Sequence, residues 1–283
     1  MPPRGQPTAR QQRLGAELRK LRETAGFSAK YAAELLGTNP IQMSHMEAGR
    51  SGVSEERLRR MAALYACQDR ALIDALVAMA GENGKGWWDA YRDVLPPVSL
   101  DLAELEHRAV HLHLVQISHI PGLLQTEAHA RASFAYAVPE LEPDALDALV
   151  AHRMHRQVVF ERSTVPEVVA IIHEAALRIR VGGVAVARQQ LRHLCEFSES
   201  GRVEVRVIPF EADAFAGAGA TMYYAGGAVP QLDTVQLDAP HGVIFLDALS
   251  QLARYRTLFG KLKRDTLDVV ESRDRIHRIE REL

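Results

Sequence analysis

Residues 26–49 place polar side chains where two short helices would meet at a turn. Ser28 and Asn39 are residue types that cap helix N-termini, and Pro40 suits a first helical position because its missing N–H would have no partner there. Gly37 suits a left-handed residue in the intervening turn. This spacing predicts a helix-turn-helix, whose second helix can insert its N-terminal end into the major groove of DNA.

The second helix of this motif has two faces of different chemistry. Met43 and Met46 recur at helical spacing and are expected to anchor the helix from below. The side chains that remain, outward-facing or at the leading end, can contact a nucleic acid; they are Asn39, Pro40, Ile41, Gln42, Ser44 and His45.

Residues 14–80 resemble the lambda-repressor-like helix-turn-helix domain of the Xre family. The resemblance is carried by the strings GFSAKYAAELLG and TNPIQMSHMEAGR and by the registered positions Ala33, Gly37, Glu47, Gly49 and Ser54. It implies an all-α domain of five helices that binds an operator in double-stranded DNA. Because one short helix reads only a few base pairs, we expect a homodimer that contacts two half-sites.

The docking geometry of that family gives roles to single residues. Base edges would be contacted by Pro40, Ile41, Gln42 and His45. Gln42 can pair with adenine, Ile41 can touch a thymine methyl group, and His45 can donate to a guanine acceptor. Phosphates would be contacted by Ser28, Lys30, Asn39, Ser44, Arg50 and Ser51. The resemblance also implies a structural ion pair between Arg22 and Glu47 beneath the recognition helix.

Two departures from the family pattern lie in this segment. Many relatives carry Gln where this chain has Ala29, so one bond that orients the protein on a phosphate or a base is missing. Affinity then depends more on Arg and Lys. Pro40 and Ile41 offer fewer hydrogen bonds than the Gln or Ser often found there, which leaves the base specificity open.

From Trp87 onward the sequence is similar to the DUF5753 family, the antitoxin-like domain that follows such helix-turn-helix units in many actinobacterial regulators. The similarity is carried, in order, by WWDAYRDVLPP, IPGLLQTEAHARA, HRMHRQ, IIHEAALRIRVGG and LRHLCEFSESGRVEVRVIPF. It implies a regulator of development or secondary metabolism with no settled enzymatic activity. Such regulators are often encoded beside a small acidic, DUF397-type partner protein.

Polar side chains inside those strings are candidates for a ligand or partner pocket. They are Gln125, Thr126, Arg153, Arg156 and Glu174, with Gln157 and Arg178 beside them. Near strand ends such groups can line a pocket for a small-molecule effector or a partner peptide. The alternative is that Arg153 and Arg156 pair with surface carboxylates and that Glu174 caps a helix or pairs locally.

Signatures of metal sites and of catalysis are weak in this sequence. Some histidines stand close enough in sequence to approach one another: His107, His111 and His113, and His152 with His155. No Cys or carboxylate completes a zinc set at recognisable spacing. Gly217-Ala-Gly219 lacks the Lys-Ser/Thr of a phosphate loop, and neither Cys67 nor Cys195 lies in a nucleophile signature. We therefore expect no metal, no cofactor and no enzymatic activity.

Hydrophobic periodicity and turn signals suggest how the chain is divided. They predict a flexible tail at residues 1–12, a helix-turn-helix domain at 13–80, a linker at 81–86 and a second domain at 87–283. The second domain alternates helices with strands near residues 110–117, 168–172, 203–209, 221–224, 234–237 and 243–246, which predicts a larger α/β (α+β) fold. Trp87 and Trp88 are expected to dock the linker on this second domain, because the acidic stretch around them disfavours base stacking.

The 283 residues carry 34 basic and 36 acidic side chains, a formal charge of −2. Residues 1–80 hold 12 basic and 8 acidic side chains, a net +4, whereas residues 81–283 hold 22 and 28, a net −6. The near-neutral total does not argue against DNA binding, since only the N-terminal part needs to approach phosphate. Two distant cysteines, and no apolar run fit for a signal peptide or a membrane span, predict a cytoplasmic protein.

Together these features predict a sequence-specific DNA-binding transcriptional regulator with a C-terminal sensing or interaction domain. The alternative is an antitoxin-like component of a two-protein system, which would act mainly by binding a small partner protein.

Overall fold

The computed structural model describes residues 7–81, 86–213, 215–216, 221–239 and 242–283. Its contacts form two compact units, one made of Met1–Arg92 with Pro96–Leu105 and the other of Asp93–Leu95 with Glu106–Leu283. The predicted fold class is confirmed, because a helical region precedes a larger region of mixed sheet and helices. Most of the predicted linker at 81–86, and the segment Gly217-Ala-Gly219, lie outside the described residues.

The first unit is helical. It contains α1 (Ala9–Thr24), α2 (Ala29–Leu35), α3 (Pro40–Glu47), α4 (Glu55–Leu64), α5 (Arg70–Gly81), a 3-10 helix (Trp87–Tyr91) and the first part of α6 (Pro97–Arg108). The predicted caps form: the side chains of Ser28, Asn39 and Ser54 each accept the backbone N–H three residues on, at 3.1, 2.8 and 3.2 Å. Pro40 occupies the first turn of α3, as its missing N–H favours.

The start of α1 corrects the predicted tail at residues 1–12. The helix begins at Ala9, because Thr8 and Gln11 form a reciprocal capping box in which the amide of Gln11 donates to Thr8 Oγ1 and the amide of Thr8 donates to Gln11 Oε1. The amide of Ala9 also donates to Asp101 Oδ1 at 3.0 Å. Three backbone amides at this helix end are therefore satisfied by side chains.

The tryptophan pair belongs to the first unit, which also includes most of α6. Trp88 is 2% exposed. Together with Pro7, Thr8 and Leu100 it lines a cavity of about 280 Å³ within this unit. The indole therefore packs beside the start of α1.

Two glycines let α1 approach the end of α3 closely. A Cβ added at Gly15 would lie 2.5 Å from the carbonyl oxygen of Glu47 and 2.7 Å from the amide nitrogen of Gly49. A Cβ at Gly49, whose φ is +71°, would lie 2.5 Å from the carbonyl oxygen of Gln11. Because these neighbours are backbone atoms, neither position has room for a side chain.

The second unit combines six strands with the remaining helices. The strands are β1 (His111–Gln116), β2 (Glu167–His173), β3 (Glu204–Ile208), β4 (Met222–Gly226), β5 (Thr234–Ala239) and β6 (Gly242–Leu246). The helices are α7 (Glu127–Phe134), α8 (Pro143–His155), α9 (Glu174–Arg178), α10 (Val184–Glu199), α11 (Leu249–Arg264) and α12 (Val269–Glu282), with 3-10 helices at Gly122–Leu124, Arg156–Glu161 and Pro230–Leu232.

The six strands form one mixed sheet in the order β3-β2-β1-β4-β5-β6. β1, β2 and β3 run parallel, and β4, β5 and β6 continue the sheet with antiparallel pairs. Leu114 of β1 pairs with Ala170 on one side and with Tyr223 on the other. Since β5 is antiparallel to β4, it runs in the same direction as β1, and the carboxyl ends of β1, β2 and β5 lie at one edge.

Alternate residues of the central strands pack on opposite faces of the sheet. On one face Val115, Ile171 and Tyr224 form a core with Leu252 and Phe259 of α11. The opposite face carries Leu114, Ala170 and Val205, all fully buried. Burial on both faces explains why these strands read as short apolar runs.

The predicted strands lie within two residues of the observed ones. Among the helices, α8 ends at His155 and a 3-10 helix follows it directly. The short helix α9 directly after β2 was not anticipated. Among the described residues, none of the helices combines the length and apolar character that crossing a bilayer requires.

We predict that Gly15→Ala lowers the free energy of unfolding. The new methyl group meets the backbone of Glu47 and Gly49, and overpacking of this kind costs about 1–3 kcal/mol. Urea unfolding followed by circular dichroism measures the change. Gly81→Ala is the matched control, because nothing lies within 4 Å of a Cβ there. Equal effects of the two substitutions would show that α1 does not depend on the close approach.

We predict that the second unit loses stability as the pH falls from 6.5 towards 4, partly through His113. The ring of His113 stacks on Phe259 with centroids 3.9 Å apart, and burial lowers its pKa to about 4. The unfolded chain, with an ordinary histidine pKa near 6.5, binds more protons in this interval, so stability is present above it and lost within it.

The variant His113→Phe keeps the ring contact and removes the titration. Its urea midpoint should therefore change less between pH 7 and pH 5 than that of the wild type. An unchanged pH dependence would mean that His113 does not contribute to it.

Candidate nucleic-acid interface

The recognition helix α3 is held from below by buried side chains. Met43 and Met46 are 0% and 1% exposed, as predicted for the inner face. Ala33 of α2 is fully buried where the two helices pack, and Gly37 has a φ of +65°, which a left-handed turn residue requires. The turn between α2 and α3 is therefore fixed by local backbone geometry.

The outer face and leading end of α3 are open to solvent. Of the four predicted base-contacting residues, Pro40 and Ile41 are exposed, with Ile41 at 71%, and Gln42 and His45 are half-buried. The backbone amide of Gln42 donates to Asn39 Oδ1 at 2.8 Å, which caps the first turn of the helix. The side chains of Gln42, His45 and Ile41 give this part of α3 an amide, an imidazole and an aliphatic group.

Five of the six residues predicted to contact phosphate are accessible, at the starts of α2 and α3, on α3 or shortly after it. Ser28, Lys30, Asn39, Ser44 and Arg50 are exposed. Within the described part of the chain, Lys30 and Arg50 have no carboxylate partner, so their charges face solvent. Both Ser28 and Asn39 already cap a helix through a side-chain oxygen, but each retains a donor that can reach an anion.

Ser51 is removed from the phosphate candidates. It is only 6% exposed, and its amide donates to the carbonyl oxygen of His45 at 3.2 Å. The turn that ends α3 uses the backbone of Ser51 and covers its side chain, so neither group is available to a phosphate.

Arg22 and Glu47 form a bidentate ion pair. Arg22 Nε donates to Glu47 Oε1 at 2.6 Å and Nη2 donates to Oε2 at 2.9 Å, while Nη1 donates to the carbonyl oxygen of Phe27 at 2.7 Å. The two side chains are 7% and 8% exposed. The structure thus brings together the two residues that the sequence resemblance paired, and one guanidinium joins α1, the start of the turn before α2, and α3.

The electrostatics of this pair extend to a neighbouring phenol. The hydrogen bond to Glu47 raises the pKa of Arg22 above its ordinary value. Burial, together with the charge of Glu47, raises the pKa of Tyr65 to about 12. The ring of Tyr65 meets Phe27 edge-on at 6.1 Å. The ion pair of Arg22 and Glu47 and the aromatic pair of Phe27 and Tyr65 therefore lie beneath α3, and the hydroxyl of Tyr65 stays protonated.

Two further cations beside this surface were not anticipated. Arg57 Nη1 lies 4.0 Å from Met46 Sδ, and Arg60 Nη2 donates to the carbonyl oxygen of Leu35. Among the described residues neither arginine has a carboxylate partner. The signal that could have identified them is their spacing of three residues, which puts both on one side of α4.

In the second unit, the predicted pocket residues divide into separate hydrogen-bond clusters. Arg153 Nη1 donates to Gln125 Oε1 at 2.7 Å, and Gln157 Nε2 donates to the carbonyl oxygen of Gln125 at 2.8 Å. Thr126 caps α7, and its amide donates to Gln190 Oε1. Gln125 and Thr126 therefore bond to the backbone and to neighbouring side chains, whereas the described acceptor of Arg153 is the neutral Gln125 side chain alone. The prediction of one pocket shared by all five residues is corrected, although Gln125 and Arg153 do meet.

Arg156 and Glu174 are each used elsewhere. Arg156 forms a buried bidentate pair with Glu106, whose Oε1 also accepts from the hydroxyl of Tyr223. Glu174 instead accepts from Arg178 at 2.8 Å and from Arg275 at 2.6 Å. Because Glu174 shares none of its partners with Gln125 or Arg153, it does not belong to a site with them.

The predicted histidine groups do not form a metal site in the described residues. His107 lies in α6, whereas His111 and His113 lie on β1 with ring centroids 5.0 Å apart. Among the described residues, no three His, Cys, Asp or Glu side chains are placed to hold a metal ion.

We predict that Arg22→Met lowers the free energy of unfolding by about 3 kcal/mol, because it leaves the Glu47 carboxylate buried without its partner. Glu47→Leu should be similarly harmful. The double variant should recover much of the loss, which urea unfolding measures as a coupling free energy. The exposed pair of Arg19 and Glu23 supplies the control, since Arg19→Met should change stability little. Additive effects of the two buried substitutions would contradict the pairing.

Comparison with protein families covers both parts of the chain. Residues 13–76 match the model described as a helix-turn-helix domain. Residues 100–278, more than half of the chain, match the model described as a domain of unknown function, DUF5753. No curated protein and no solved structure matches the chain. The protein therefore belongs to the DUF5753 family and carries an N-terminal helix-turn-helix domain before its family domain.

Proposed function

We propose that the protein is a sequence-specific DNA-binding transcriptional regulator that acts in the cytoplasm as a homodimer. The observation that carries the proposal is the division of α3 into a buried inner face and an open outer face. Met43 and Met46 fix the helix, while its N-terminal end stays accessible to a groove. A short helix mounted in this way is the geometry by which helix-turn-helix proteins read the major groove.

The side chains on the outer face supply complementary means of base recognition. The side-chain amide of Gln42 matches the donor and acceptor pair that adenine presents in the major groove, and the His45 ring can donate to a guanine acceptor. Ile41 is exposed enough to contact a thymine methyl group. Pro40 adds contact area but no hydrogen bond. These residues favour readout that mixes hydrogen bonding with apolar contact.

In this proposal the cations around α3 provide affinity for the DNA backbone. Lys30 and Arg50 carry charges that no carboxylate of the described residues neutralises, and Arg57 lies beside α3. Ser28, Asn39 and Ser44 add polar contacts that position the protein on the backbone without reading sequence. The net charge of +4 in residues 1–80 makes binding salt-dependent, because phosphate neutralisation releases counterions.

The second domain takes the sensing or association role in this proposal. One recognition helix reads only a few base pairs, so a homodimer with two-fold symmetry would double the site and place half-sites one helical turn apart. The net charge of −6 in residues 81–283 disfavours phosphate. That charge leaves this part of the chain for a small-molecule effector or a partner protein rather than for DNA.

The proposal is tested by selecting genomic fragments that bind the full chain and measuring fluorescence anisotropy on the selected operator. Gln42→Ala and His45→Ala should each cost about 1–3 kcal/mol, roughly 5- to 150-fold in Kd, and relax the preference at one base position. Arg50→Ala should weaken binding to all sequences and reduce the salt slope by about 1.

Arg59→Ala is the matched control, because Arg59 is an exposed arginine of α4 that pairs with Glu55 and Asp74. Its affinity should stay near that of the wild type. Unchanged binding in both Gln42→Ala and His45→Ala would refute the proposed readout. Failure to select any operator, with co-purification of a small protein, would favour the antitoxin-like alternative.

A further inference from the structure

Among the described residues, no carboxylate lies within ion-pair distance of Arg153 of α8. Its Nη1 donates to the neutral amide oxygen of Gln125 at 2.7 Å, and its guanidinium carbon lies 4.5 Å from the centroid of the Phe134 ring. A Cβ at Gly122 would lie 2.7 Å from Nη1, so the head group also lies against the backbone there. Of five N–H donors on this guanidinium, one has a described acceptor.

Arg156, three residues further on in the same unit, is an arginine whose charge is paired with a carboxylate. One edge of its guanidinium, Nε and Nη2, donates to the two oxygens of Glu106, and the Tyr223 hydroxyl donates to the same carboxylate. Within the described part of the chain Arg153 has no such carboxylate. A cation that is oriented by an amide and a ring but has no carboxylate bonded to it is arranged to receive an anion.

A second group beside Arg153 lacks partners. His129 of α7 is 2% exposed, and neither ring nitrogen meets a hydrogen-bond partner among the described residues. Buried polar atoms of this kind are almost always satisfied by protein, water or ligand. Burial, with the charges of Arg153 and His119, lowers the pKa of His129 to about 4. At neutral pH the ring is therefore uncharged and offers one donor and one acceptor.

The location fits a ligand site on topological grounds. Gln125 and Gly122 follow β1, and β1 ends at the same sheet edge as β2 and β5. Ligands of α/β proteins bind outside the carboxyl ends of strands. β1 is a central strand of the sheet, and its carboxyl end lies beside that of its parallel neighbour β2.

The charge balance selects the class of anion. Arg153 supplies one positive charge and His129 supplies none, while the charges of Arg156 and Glu106 beside Arg153 offset each other. Asp238, exposed near the end of β5, acts on both Arg153 and His119 with its negative charge. Asp238 repels a dianion about twice as strongly as a monoanion, and the single guanidinium can neutralise only a monoanion. The guanidinium lies over the Phe134 ring, and the part of this half-buried ring that it leaves uncovered suits an organic rather than a hydrated inorganic ion.

We propose that Arg153, His129 and Gln125 form a binding site for a small organic monocarboxylate at the carboxyl end of β1. The guanidinium receives the carboxylate, the His129 ring donates to it, and Gln125 holds the guanidinium in place. Phe134 contacts the apolar part of the ligand. The inference does not depend on DNA binding, and it would stand if the first unit bound no operator.

The test uses the full chain with benzoate, butyrate, phosphate and chloride as probes at constant ionic strength. Benzoate and butyrate should raise the melting temperature saturably, whereas chloride should not. Arg153→Met and His129→Phe should each weaken the carboxylate effect by at least about tenfold, as expected for loss of a charge-assisted or buried hydrogen bond. Arg131→Met is the matched control, since Arg131 is an exposed arginine of α7 paired with Asp147.

A chemical measurement on the wild type keeps the test independent of variants that fail to fold. Phenylglyoxal modifies arginine, and mass spectrometry reads each site separately. Benzoate should protect Arg153 and leave Arg131 unprotected. Equal protection by phosphate would overturn the assignment to a monocarboxylate. Absence of protection by any of these anions would overturn the site itself and leave ordered water as the partner of His129.

Discussion

The ion pair between Arg22 and Glu47 is the interaction on which the position of α3 and of its outer face depends. A single guanidinium ties α1 to the last turn of α3 and to the carbonyl of Phe27. The glycines at 15 and 49 allow the backbones to approach closely enough for that bond to form. Because α3 is short, its own hydrogen bonds are too few to hold it, so tertiary contacts set its position. The position of the outer face of α3 therefore depends on this buried ion pair.

The helical unit could be predicted closely because its signals are local. Ser28, Asn39 and Ser54 each bond to an amide three residues on, and such bonds are set by neighbouring residue types. The start of α1 was missed because Thr8 and Gln11 lie in a stretch rich in Pro and Arg, which concealed a capping box. Ser51 was misassigned since its exposure is decided by packing after the turn, a property no local pattern records.

The strands of the second unit could be recognised from apolar runs, but the arrangement of their polar neighbours could not. Arg153 and Arg156 share one short string, yet Arg156 meets Glu106 and Tyr223 from distant parts of the chain, while Arg153 meets an amide. The order β3-β2-β1-β4-β5-β6 determines which residues come together at a given sheet edge. The spacing of residues along the sequence does not reveal the order of the strands in the sheet.

The two-faced construction of α3 has a consequence for how the proposed DNA-binding surface can diversify. The side chains of Pro40, Ile41 and Ser44 are exposed, whereas those of Met43, Met46 and Glu47 are buried. Substitutions at Ile41 and Ser44 can therefore accumulate at little folding cost, and outer-face residues of another helix-turn-helix could be grafted onto the same buried side. The residues that would choose a target and the residues that hold the helix can evolve separately.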